Sequence, residues 1–132
     1  MPTLELLDQD VIVPVEALTA ALSVPDGGFT VDTVTGERPR WGYAVSIFPE
    51  LSRVIESVQV ADLVAYMIDH EETLGEPSML LGGWRDPVAG LAHLDVSVRV
   101  RDRSAAERLA RRHSQIAYFD LAAGASVSVI ES

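Results

Sequence analysis

Apolar side chains recur along this chain at helical spacing in three places and alternate with polar ones in several others. After Pro14, which suits the first turn of a helix because its missing N–H has no helical partner there, Ala17, Leu18, Ala21 and Leu22 fall on one helical stripe. Pro25-Asp26-Gly27-Gly28 ends that stripe in a turn. Phe29–Val34 is β-branched and aromatic, Thr35-Gly36-Glu37-Arg38-Pro39 supplies a connection, and Trp41–Phe48 alternates, with Tyr43, Val45 and Ile47 on one face. This pattern predicts a hairpin. A brief extended piece, Arg53–Glu56, follows it.

The clearest helix comes next. Val60, Leu63, Val64, Met67 and Ile68 stand at i, i+3, i+4, i+7 and i+8. Asp62 in the first turn favours the positive end of the helix dipole, and Gly75 is expected as a left-handed stop before Pro77. Met79–Trp84 and Leu94–Val100 flank the turn Arg85–Gly90, and the second strand is the best in the chain. Its Leu94, Val96, Val98 and Val100 face one way, while His93, Asp95, Ser97, Arg99 and Arg101 face the other. Ser104 and Glu107 have capping-box spacing for a helix that buries Ala106, Leu109 and Ala110. Ile116–Leu121, the turn Ala123-Gly124, and Val127–Ile130 complete the pattern.

Hairpins separated by helices predict one α+β domain over residues 1–132: an antiparallel sheet built from hairpins, with about three helices packed mainly on one face. Residues 1–10 read as a loosely ordered N-terminus. They carry Glu5, Asp8 and Asp10 where a signal peptide would be basic and then apolar, and no apolar run is long enough to span a bilayer. A cytoplasmic protein is expected, with no membrane partner. At 48% hydrophobic residues the chain can fill a core, and with no cysteine it has neither disulfides nor thiolate chemistry.

Charge is unevenly spread. The net charge is −10, and residues 1–76 hold fourteen acidic residues against three arginines, a net of −11. Such a chain is repelled by a phosphate backbone, so direct nucleic-acid binding is not expected. The carboxylates of Asp62, Asp69, Glu71, Glu72 and Glu76 are read as a binding surface for a protein partner, in particular a basic or nucleic-acid-binding one. In the second part, His93, Arg99, Arg101, Arg108 and Arg112 are read as an anion site, because arginine forks suit carboxylate and phosphate. The competing reading pairs these arginines with the surplus carboxylates of the first part. Trp41 and Trp84, each beside a glycine, are either core anchors or interface aromatics.

No cofactor or metal is expected: His70, His93 and His113 lack a ligand spacing, and no phosphate loop is present. His93, Asp95 and Ser97 have the residue types of a hydrolase triad. Same-face strand neighbours, however, stand about 6.6 Å apart and project in parallel, too far for a base and its nucleophile.

Asp69-His70, Leu81-Gly82-Gly83-Trp84, Leu94-Asp95-Val96-Ser97, Gln115-Ile116-Ala117 and Phe119-Asp120-Leu121 form a pattern with the upstream Gly28-Phe29-Thr30-Val31-Asp32 and Gly42-Tyr43-Ala44-Val45-Ser46. The pattern resembles a family of small, uncharacterised acidic proteins of actinobacteria and their phages and mobile elements. The resemblance covers residues 28–124 and implies a mobile-element context with no catalytic assignment. The function expected first is therefore a non-catalytic binding or regulatory protein, such as an inhibitor that presents its acidic surface to a basic host protein. The alternative is a small enzyme or an anion- or ligand-binding domain built on the polar strand face around His93 and Arg99. Homo-oligomerisation through a sheet edge is a third expectation.

Overall fold

The computed structural model describes residues 13–129. The expected N-terminal segment 1–10 and most of the run Val11-Ile12-Val13 lie outside them. Among the described residues the order is α1 (Val15–Ala21), β1 (Gly28–Val31), β2 (Tyr43–Ser46), a 3-10 turn (Pro49–Leu51), β3 (Arg53–Ile55), α2 (Val60–Asp69), α3 (Glu71–Leu74), β4 (Met79–Arg85), β5 (Ala92–Val100), α4 (Arg103–Arg112), β6 (Ala117–Asp120) and β7 (Ala125–Ser128). The fold is α+β, and all its strand pairs are antiparallel.

The sheet runs β1-β4-β5-β2-β6-β7, with β3 also paired to β5. Among the described residues only β4–β5 and β6–β7 are hairpins. The hairpin expected between β1 and β2 does not form: β1 pairs with β4, and β2 lies between β5 and β6. Asp32–Gly42 instead folds on itself, with the Asp32 N–H donating to Glu37 O at 2.9 Å. β2 and β3 share one edge of β5, but Ser46 pairs with Ser97 and Arg53 with Leu94. Seven steps on the outer side therefore answer three on β5. The excess forms the 3-10 turn, so β5 loses its outer neighbour beside Asp95 and Val96.

Register sorts the side chains onto two faces. On one, Phe29, Val31, Leu81, Leu94 and Val96 form a core with Leu18, Leu22, Leu63, Tyr66, Met67 and Leu74 from α1, α2 and α3. Continuing along the same face, Val45 and Tyr118 pack beneath Ala106 and Ala110 of α4. All four described helices thus cover one face, and each fully buried aliphatic there stabilises the fold by roughly 1.5–3 kcal/mol. A smaller cluster on the opposite face contains Ala44, Leu80 and Leu121, with Phe119 against it.

Several local expectations change for identifiable reasons. The α2 stripe is rotated: Tyr66 is fully buried while Val60 and Ile68 are exposed, because the Tyr66 hydroxyl reaches Leu51 O at 2.8 Å. Asp62 does more than face the dipole, since its carboxylate accepts the Gln59 N–H at 2.8 Å in a capping box. Gly75 ends α3 in right-handed geometry at φ −81°, and Ser78 takes the left-handed position at φ 69°. The Ser104–Glu107 box is absent: Asp102 precedes the first helical residue, and Glu107 accepts from the Tyr118 hydroxyl at 2.9 Å.

Candidate functional site

The polar side chains of β5 lie on the face that no described helix covers. Across the sheet they form rows: Val54, His93 and Trp84; Asp95 and Gly82; Ser46, Ser97 and Leu80; Ala44 and Arg99. Arg99 and His93 are six positions apart, about 20 Å at strand rise. They cannot hold one small anion together.

At one end of β5 stand two arginines and a tryptophan. Trp41, in the β1–β2 connection, is half exposed and carries the Arg99 guanidinium 4.0 Å from its ring centroid and the Arg101 guanidinium at 5.2 Å. Gly42 lets the chain pass close to β5 here, since a Cβ would stand 2.7 Å from Val100 O and 3.3 Å from Arg99 Cγ, and its φ of +84° suits glycine. Neither guanidinium has a carboxylate within ion-pair distance among the described residues, and Arg99 Nε is buried without a hydrogen-bond partner. Arg38 and Arg40 lie exposed in the same connection at the same end of the sheet. They were not singled out from sequence, because only the β2–β5 register brings that loop to Arg99.

At the other end, Trp84 stacks on His93 with centroids 5.8 Å apart and an interplanar angle of 29°. The indole N–H donates to Asp26 Oδ1 at 2.8 Å, and His93 Nε2 is buried with no partner among the described residues. Between the two ends, the Asp95 carboxyl lies over Gly82, where a Cβ would stand 2.5 Å from Oδ1. Burial pushes the Asp95 carboxyl above the usual carboxylate range, and the neighbouring His93 opposes that shift. Burial likewise raises the Tyr66 phenol, which the Asp95 charge raises further and Arg53 lowers. A carboxyl held toward its neutral form is the opposite of what a triad needs, and His93, Asp95 and Ser97 make no hydrogen bond to one another among the described residues.

The five residues expected as one anion site are thus divided. His93, Arg99 and Arg101 share the β5 face in two separate groups, while Arg108 and Arg112 are exposed on α4, which packs on the opposite face. Arg108 lines an open groove there with Arg103, Ser104 and Glu107. The pairing of the second-part arginines with first-part carboxylates does not occur among the described residues. The two ion pairs found are Arg53–Asp69 at 3.0 Å and Arg111–Glu107 at 3.4 Å, and Arg85 instead bonds the carbonyls of Leu22, Glu56 and Gly90.

The acidic group is divided as well. Asp62 caps α2 and Asp69 pairs with Arg53, while Glu71, Glu72 and Glu76 are exposed around α3. Trp41 and Trp84 are not core anchors; each has more than two fifths of its surface accessible. No group of three or more His, Asp or Glu among the described residues is placed to hold a metal ion, and no helix is long and apolar enough to cross a membrane. Comparison with protein families, with curated proteins and with solved structures gives no match.

Proposed function

We propose that this protein is a non-catalytic binding domain whose ligand presents an anionic group to the Trp41–Arg99–Arg101 end of the polar sheet face. One observation carries the reading: two guanidiniums stacked on a half-exposed indole with no carboxylate partner among the described residues. Stacking on the ring orients the forks, and arginine recognises carboxylate or phosphate through paired N–H donors. Arg38 and Arg40 add positive potential at the same end. The test uses inorganic phosphate and acetate as probes of the Trp84→Phe variant, in which Trp41 is the remaining indole. A saturable change in Trp41 emission that Arg99→Ala and Arg101→Ala each abolish supports the reading. No change with either anion at low ionic strength overturns it.

A second reading keeps a basic or nucleic-acid-binding protein as the partner, as an inhibitor from a phage or mobile element would. Glu71, Glu72 and Glu76 favour it, being exposed within six residues and outside every ion pair among the described residues. Gel-shift competition decides this reading: it fails if the protein never displaces DNA from a basic host protein, even at low salt.

A further inference from the structure

Exposed apolar side chains gather at the corner of the sheet farthest from the arginine stack. Trp84 and Val54 flank His93 in one cross-strand row and are 43% and 52% exposed, and Val88 at the tip of the β4–β5 turn is 94% exposed. Val24, just before β1, is exposed too. The Trp84 ring is held in place before any partner arrives, with one face against His93 and its N–H on Asp26. A large aromatic held this way loses little freedom on binding, which is the usual character of an interface anchor. The loops around it are acidic: Asp26 precedes β1, Glu56 follows β3 and Asp86 follows β4. Of the arginines of these strands, Arg53 is paired with Asp69, and Arg85, bonded to the carbonyls of Leu22, Glu56 and Gly90, brings one positive charge against the three carboxylates, so the corner stays net negative.

We infer that this corner docks an apolar peptide segment flanked by lysine or arginine, with Trp84 and Val54 as the apolar anchor and Asp26, Glu56 and Asp86 as the rim. The charge of the rim selects the partner. An acyl chain would gain nothing from three carboxylates, and a nucleic acid would be repelled by them. The inference stands apart from the anion site, which lies at the other end of β5, and it places a basic partner here rather than on α3.

Fluorescence polarisation of labelled hexapeptides tests it with three probes: leucine alternating with lysine, leucine with glutamate, and serine with lysine. The leucine–lysine probe is expected to bind, to weaken as salt rises, and to lose at least tenfold in affinity with Trp84→Ala. Val54→Ser, at an exposed position, is expected to weaken it severalfold without touching the Trp84 stack, and Glu56→Gln to flatten the salt dependence. Three results overturn the inference: no binding of the leucine–lysine probe, equal binding of the leucine–glutamate probe, or binding that survives both Trp84→Ala and Val54→Ser. Loss of binding on neutralising Glu71, Glu72 and Glu76 together, with the Trp84 corner intact, also overturns it. Failure here leaves the response of Trp41 to phosphate unaffected, and the reverse holds.

Discussion

Gly82→Ala should destabilise the fold through one side chain, Asp95. Gly82 has no left-handed backbone requirement, so alanine is conformationally acceptable there, and in a strand it should gain about 0.5–1 kcal/mol over glycine. The new Cβ, however, would stand 2.5 Å from Asp95 Oδ1, well inside van der Waals contact. The carboxyl must shift by about 1 Å, and overpacking of that kind costs about 1–3 kcal/mol. The net loss should be about 0.5–2 kcal/mol. In an Asp95→Ala background the obstacle is gone, and the same substitution should be neutral or stabilising by up to about 1 kcal/mol. Urea denaturation of the four proteins gives a coupling energy, expected at about 1–3 kcal/mol. An equal cost of Gly82→Ala in both backgrounds would show that the carboxyl does not rest on that glycine.

Two further substitutions probe the same region. Asp95→Asn should change how stability depends on pH. Below about pH 4, the unfolded value for aspartate, both states hold the proton and Asp95 contributes no slope. Above it the unfolded chain releases the proton while the folded state keeps it, because burial raises the folded pKa. The wild type should therefore lose stability as pH rises toward the folded value, by about 1.4 kcal/mol for each unit of separation, and Asp95→Asn should not. Parallel stability curves from pH 4 to 8 would refute this. Tyr66→Phe removes a 2.8 Å hydrogen bond to Leu51 O at the turn that interrupts the β5 edge. It should cost about 1–2 kcal/mol in urea unfolding, and a loss below about 0.3 kcal/mol would mean that water satisfies that carbonyl.

The two faces of β5 were legible because alternation over nine residues needs no knowledge of partners. Three helical runs were legible in position, although the one expected to reach Gly75 breaks at His70 into α2 and α3, and placement on one face followed from the element order. What sequence could not supply was pairing between elements distant in the chain. Phe29–Val34 and Trp41–Phe48 read as a hairpin, yet their partners are β4, β5 and β6. Glu107 has capping-box spacing, but Tyr118, eleven residues later, competes for its carboxylate and wins. Tyr66 stands at i+6 from Val60, off the spacing that marks the α2 stripe, and the carbonyl that accepts from its hydroxyl lies on the 3-10 turn. The candidate site shows the same division. His93, Asp95 and Arg99 were visible as one polar face, whereas their separation into two ends, and the contribution of Arg38 and Arg40 to one of them, required the register.

The polar face costs the fold something, and that cost bears on function. Among the described residues His93 Nε2 and Arg99 Nε are both buried without partners, and an unsatisfied buried polar atom typically costs about 1–3 kcal/mol. Against a total stability of about 5–15 kcal/mol for a domain of this kind, two such atoms and a buried carboxyl are a large concession. A leucine or valine at 93, 95 or 99 would suit a strand as well as the present residues and would remove the penalty. In proteins that fold reliably, local violations of this sort concentrate where binding or chemistry requires them. The same side chains hold the two exposed tryptophans: Arg99 lies on Trp41, and His93 on Trp84. Each unsatisfied nitrogen therefore belongs to a side chain that positions an accessible indole. A face maintained only for packing would have no reason to pair the two features at both of its ends.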